Sequence, residues 1–137
     1  MIDRETDPIK HARDVVGRDP FSRFLGMEVE EVRESYAKVS LTIKDEYCNA
    51  ESRTHGGVLF SIADQALGVA INSRGYLAFG VEVKINYFDA ARPGDVVYAE
   101  ATPVDIRTRI SLWNIEVTNQ RGDRIALAHG LAYHVRD

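Results

Sequence analysis

One stretch of the chain, THGGVLFSIADQALGVAINS (residues 54–73), holds the residue types that acyl-transfer chemistry needs. His55, Gly56 and Gly57 open it, and Asp64 interrupts a run that is otherwise apolar, small or neutral polar. An ionised carboxylate in such company is costly unless it is paired or reaches a wet pocket. Asp64 therefore marks either an outward face of a helix or a functional site. A salt bridge to Arg53 or Arg74 is a further alternative, though both lie far along the helix. Paired glycines in a first turn leave the backbone N–H groups unshielded at the positive end of the helix dipole, where they can polarise a carbonyl. Gly56 and Gly57 would equally permit close helix–sheet packing. Acyl hydrolysis needs both an acid–base group and an oxyanion donor. Eight helical residues separate Gly56 from Asp64, about 12 Å at 1.5 Å rise per residue. One chain cannot bring both to one carbonyl; two copies with antiparallel helices can, so the spacing predicts a homodimer with shared sites.

The surrounding pattern shows what must position these residues. Ile9, Ala12, Val15 and Val16 give a weak apolar stripe after Pro8, which predicts a short helix ended by Gly17 and Pro20. FSRFLGM (residues 21–27) reads as a loop or single turn pinned to the core. Period-two alternation through Val29 and Glu31, then Ala37, Val39, Leu41 and Ile43, predicts two strands joined near Glu34-Ser35. Thr54 is a plausible cap for the long helix, which is apolar nearly all round and so is expected to be buried. It stops around Asn72 to Gly75. Val81, Val83, Ile85 and Tyr87 alternate in a further strand, the Pro93-Gly94 turn follows it, and three more strands complete the chain. Short turns between strands make the sheet antiparallel, so the fold class is α+β, a sheet curled round a central helix.

With 137 residues, the chain reads as a single domain, 1–137, with a helical extension at 1–20. A net charge of -4 without a basic face argues against a nucleic-acid partner. One cysteine, Cys48, excludes an internal disulfide framework, and the charged N-terminus lacks an apolar signal region, so a cytoplasmic location is expected. No segment has the length and apolarity of a membrane span. His11, His129 and His134 have no metal-ligand spacing, and no metal is expected. Ser61 lacks a base, Cys48 and Trp113 read as packing, and Arg121-Gly122-Asp123 reads as a hairpin turn.

CNAESRTHGGVLFSIADQALGVAINSRG (residues 48–75) resembles the signature of hotdog-fold acyl-CoA thioesterases of the PaaI type, associated with phenylacetate degradation. That signature is an asparagine, then His-Gly-Gly, then an apolar helix with an acidic residue nine after the histidine; Asn49, His55, Gly56 and Asp64 match it. The likeness extends through INYFDAARPGDVVYAEA and the last strands, over roughly residues 20–136. It implies a sheet wrapped round one long helix, a homo-oligomer (a dimer or dimer of dimers), an acyl-CoA substrate, and no cofactor beyond the CoA of that substrate. It also implies roles. The Gly56 N–H polarises the thioester carbonyl. Asp64 of the facing subunit activates water or attacks the carbonyl. Asn49 orients water or thioester, and His55 shapes the turn. Gly57, Glu82 and Arg92 are further candidates for substrate contact, Arg92 with Lys84 as partners for CoA phosphates. Phe21, Phe24 and Leu25 are candidates for an acyl or aryl pocket. The sequence departs from the family at Ser52, where many relatives carry glycine. It departs again at Gly80-Val81-Glu82, where several carry a serine or threonine that touches the site. The rival reading is a non-catalytic acyl-CoA-binding hotdog protein, which would have no use for a charge at position 64; a hotdog hydratase would pair its acid and histidine differently.

Overall fold

The computed structural model describes residues 3–136. Its helices are α1 (Pro8–His11), α2 (Pro20–Leu25) and α3 (Gly56–Ile71). Its strands are β1 (Glu28–Arg33), β2 (Tyr36–Thr42), β3 (Ala78–Tyr87), β4 (Val96–Ile106), β5 (Ile110–Asn119) and β6 (Arg124–His134). All six strands join one sheet in the order β1-β2-β4-β5-β6-β3, and every neighbouring pair is antiparallel. The helix α3 packs across this sheet and touches every strand, which is the hotdog arrangement the resemblance implied. Among the described residues no helix is long and apolar enough to cross a membrane.

Side-chain alternation puts the core between sheet and helix. Along β5, Ser111, Trp113, Ile115, Val117 and Asn119 are buried while their neighbours are not. Along β6 the inward positions are small: Ala126, Ala128, Gly130 and Ala132. A Cβ on Gly130 would stand 2.7 Å from a Leu67 methyl, so the helix lies as close as it does because position 130 has no side chain. The α3 face toward the sheet is Leu59, Ile62, Ala63, Ala66, Leu67, Val69, Ala70 and Ile71, all buried.

Both ends of α3 are tied by side chains. His55, not Thr54, is the N-cap: its Nδ1 accepts the Gly57 N–H at 3.3 Å. Thr54 instead turns its hydroxyl inward to donate to the Ala91 carbonyl at 2.8 Å, because the loop before the helix is stitched to the segment before β4. At the other end, the buried Asn72 donates to the Gly68 and Ala78 carbonyls and accepts the Ala78 N–H.

The structure departs from the expected elements in four places. The first helix is not continuous, since α1 passes into a five-residue π-turn at Ala12–Val16, closed by Gly17 N–H to the Ala12 carbonyl. Residues 20–25 form a helix rather than a loop, capped by Asp19 accepting the Ser22 N–H and stopped by Gly26 at φ 87°. The long helix is not buried all round; a stripe through Gly57, Ser61, Asp64 and Gly68 is left uncovered in the protomer. Finally, β3 carries a register shift between Gly80 and Glu82. This bulge puts Gly80, Val83, Ile85 and Tyr87 on the helix side, opposite inward residues of β6, and expels Val81 from the expected alternation; Val81 is 59% exposed.

Candidate active site

Asp64 points outward from the uncovered stripe of α3. It forms no hydrogen bond or ion pair with the described residues, and neither Arg53 nor Arg74 reaches it. Its carboxyl is open to solvent on one side, yet helix and sheet atoms crowd the other. That partial burial, and secondarily the Asp19 carboxylate at the α2 cap, push its pKa above the usual aspartate value. Its neighbour on the sheet is Gly80, where an added Cβ would lie 3.9 Å from Asp64 Oδ1 and 3.4 Å from a Leu67 methyl. The bulge in β3 thus brings to Asp64 the one strand position with no side chain.

The helix N-terminus is the second part of the candidate site. The Gly57 N–H is taken by His55, while the Gly56 N–H, the first of the helix, has no acceptor among the described residues. Tyr87, at the end of β3, leans over this turn and donates its hydroxyl to the Gly56 carbonyl at 2.9 Å. Its ring lies 3.1 Å from where a Gly56 Cβ would be, so any side chain at 56 would push the phenol away. Burial raises the Tyr87 pKa, which keeps the phenol a donor at neutral pH. Tyr87 has no part in the motif that singled out Gly56. The signal available in the sequence was its inward phase with Val83 and Ile85, since an inward phenol needs a partner.

The other candidates fall at varying distances from this centre. Asn49 is exposed and its Oδ1 is already engaged, accepting the Glu51 and Arg53 N–H groups at 2.9 and 3.2 Å. It braces the loop that leads to His55, and its amide NH2 remains available. Gly57 is exposed on the open stripe. Arg92 is exposed in the turn before β4, next to Ala91 and so next to the pre-helix loop. Glu82 is not on the Asp64 side of its own protomer. It pairs with Leu131 past the bulge and faces the outer side of the sheet, as does Lys84, whose ammonium donates to Asn86. Beside the helix N-terminus a cavity of about 480 Å³ is walled by Phe24, Leu25, Tyr47, Cys48, Val58 and His55, with Lys44 and Glu46 at its rim. Phe24 and Leu25, expected in such a pocket, line this cavity, and Phe21 does not. No group of three or more His, Cys, Asp or Glu among the described residues is placed to hold a metal.

This geometry has relatives. The thioesterase superfamily profile matches residues 52–126, which spans α3, β3, β4 and β5 and reaches the start of β6. A protein of Archaeoglobus fulgidus named as an esterase is 40% identical over 119 residues, covering 87% of this chain and 77% of its own length. The Escherichia coli acyl-coenzyme A thioesterase PaaI is 28% identical over 92% of this chain and 90% of its own. The solved structure of E. coli PaaI superposes with a TM-score of 0.90 at 26% identity, covering 96% of each chain. A Streptococcus pneumoniae thioesterase solved with coenzyme A superposes with a TM-score of 0.76 at 25% identity, over 80% of this chain and 85% of that one. The chain belongs to the thioesterase superfamily, and it is a hotdog-fold thioester hydrolase of the PaaI type.

Proposed function

We propose that this protein hydrolyses the thioester of an acyl- or aryl-CoA, at sites shared between two antiparallel copies. The observation that carries the reading is Asp64: an unpaired carboxylate with a raised pKa, held outward on the one uncovered stripe of a core helix. A scaffold or a plain binding module would gain nothing from it. The second half of the chemistry is the Gly56 N–H, without an acceptor among the described residues, and rise per residue puts the two about 12 Å apart in one protomer. A second copy supplies the missing half. The edge strand β3 favours such a copy, since Phe79, Val81 and Phe88 are 51%, 59% and 61% exposed beside unpaired strand backbone.

In the assembled site the Gly56 N–H receives the thioester carbonyl oxygen, at the positive end of α3, and Tyr87 fixes that turn from behind. Asp64 of the partner subunit takes a proton from water as the water attacks the carbonyl carbon, or attacks that carbon itself. Either route passes negative charge to the oxygen held by Gly56 and expels CoA as its thiolate; after direct attack, water then hydrolyses the mixed anhydride on Asp64, releasing the acid and restoring the carboxylate. The raised pKa of Asp64 strengthens it as a base. The acyl or aryl group lodges in the apolar cavity beside His55, bounded by Phe24, Tyr47 and Val58. CoA as the carrier agrees with the named activity of E. coli PaaI and with the coenzyme A in the S. pneumoniae structure.

The test is thiol release from a panel of acyl- and aryl-CoA esters by the wild type and by Asp64→Asn. We expect kcat to fall by about a hundredfold or more in the variant with little change in KM, the pattern of a group acting only in the transition state. Equal turnover would sink the mechanism. Tight CoA-ester binding without turnover in the wild type would instead identify a binding protein.

A further inference from the structure

The end of the molecule opposite His55 carries a feature that the hydrolytic site does not use. Two adjoining cavities, of about 560 and 420 Å³, share Arg74, Tyr76 and Arg136 as walls. Arg4 lines the first and Arg107 the second, and Glu5 is the single carboxylate on either lining. Four arginines therefore converge on one end of a chain whose net charge is -4. Arg107 is paired to Asp105 at 2.8 Å, but Arg4, Arg74 and Arg136 have no carboxylate within ion-pair distance among the described residues.

The cluster is braced as well as charged. Arg74 donates from Nε to the Tyr76 hydroxyl and from Nη1 to Ser35 Oγ, both at 2.9 Å, leaving its remaining N–H groups free. The Arg136 guanidinium lies 4.6 Å from the Tyr76 ring centroid, and that ring also meets the His134 imidazole at 5.1 Å. His134 is buried between Ser111 and the Thr108 carbonyl. Burial, and then the Arg74 and Arg136 charges, hold its pKa below the ordinary value against the opposing pull of the Thr108 carbonyl. Guanidinium groups held in place by side-chain contacts, with free N–H groups turned to an open cavity, are suited to phosphate oxygens.

We infer that the Arg74–Tyr76–Arg136 pocket is a binding site for a phosphorylated nucleoside, occupied in catalysis by the nucleotide end of a CoA thioester. The second clause rests on the dimer proposed above. If the partner's Asp64 lies beside Gly56, the end of the partner's helix at Ile71 lies about 10 Å further along at 1.5 Å rise. On that arrangement the partner's arginine pocket lies past its Ile71, beyond the N-terminus of α3 that holds the thioester, and the pantetheine arm would run between the two. Pocket and hydrolytic centre become two ends of one substrate's path.

Calorimetric titration of the full chain with CoA, dephospho-CoA and ATP tests this against Arg136→Ala, Arg74→Ala/Arg136→Ala and Arg92→Ala. Arg136→Ala is the safer variant, because its side chain makes no hydrogen bond that the fold uses. We expect CoA to bind about tenfold more weakly to Arg136→Ala, the loss of one charge-assisted contact, and more weakly still to the double variant. KM for a CoA thioester should rise by the same factor at unchanged kcat, with turnover of the matching N-acetylcysteamine thioester unaffected. ATP and CoA binding that both depend on the arginines, with KM for the thioester unmoved, would keep the phosphate site and assign it to a free nucleotide. CoA affinity unchanged in both arginine variants overturns the inference, as does loss in Arg92→Ala alone. Should the wild type hydrolyse no thioester at all, the hydrolytic reading fails while the titrations still decide the pocket.

Discussion

Asp64 differs from an ordinary surface aspartate because one side of its carboxyl meets packed protein and the other meets solvent. The packed side includes Gly80, and this is where the missing hydroxyl of the family pattern has its structural meaning. A Cβ at 80 would sit in ordinary contact distance of Asp64 and Leu67, and Gly80 does not need a left-handed φ. Gly80→Ser should therefore be tolerated and place a hydroxyl where it can donate to Asp64. The sign follows from the charged form. Partial burial raises the Asp64 pKa, so base-catalysed activity is lost as pH falls through a value above the usual aspartate range. A donor to the carboxylate stabilises the ionised form and moves that acid limb of kcat/KM to lower pH, by about half a unit to one unit for one hydrogen bond. A limb that stays in place in Gly80→Ser would mean that Asp64 is not the titrating base. The Asp64 charge and the glycines at 56 and 57 were legible in the sequence because their meaning is local: residue type, neighbours and helical spacing suffice. Tyr87 was not, and Gly80 was marked only by the family resemblance, because both reach the site only when β3 pairs with β6. The Tyr87–Gly56 hydrogen bond spans 31 residues.

At the scale of elements, periodicity located α3 and the strands because burial on one face imposes it. It misjudged the places where an element's neighbours decide. A helix apolar on most faces predicts burial, but the sheet covers only one side of α3, and the stripe through Asp64 awaits other cover. Alternation across β3 predicts Val81 inward, and one bulge residue reverses it. The cap of α3 falls on His55 rather than Thr54 because Ala91 competes for the threonine hydroxyl. The exit of α3 rests on Asn72, buried at 5% exposure with three hydrogen bonds to Gly68 and Ala78. Its carboxamide joins the last turn of the helix to the first residue of β3. Asn72→Ala leaves the Ala78 N–H and two carbonyls without partners, and should lower stability by about 2–3 kcal/mol in urea unfolding. A loss below about 0.5 kcal/mol would show that water replaces the carboxamide and that the junction does not depend on it.

On the proposed mechanism the whole molecule presents its chemistry in halves. Asp64 and the Gly56 N–H belong to one helix but not to one carbonyl, and the apolar edge of β3 runs alongside both. If each site takes Asp64 from one subunit and Gly56 from the other, two inactive variants should repair each other. Asp64→Asn retains the helix N-terminus. Gly56→Ala retains the carboxylate but drives a methyl to 3.1 Å from the Tyr87 ring, disturbing the turn that holds the oxyanion donor. A mixed dimer then contains one site with both defects and one with neither. Random pairing of equal amounts makes half of the dimers mixed, each with one working site of two, so activity should recover to about a quarter of wild type by the symmetry of an isologous pair. Refolding the two variants together and assaying thiol release against each alone measures this. Sites built within one protomer would stay silent in the mixture, since every protomer carries a defect. Recovery would establish in one experiment that the copies pair, that the helices run in opposite directions at the site, and that Asp64 and Gly56 act on the same thioester.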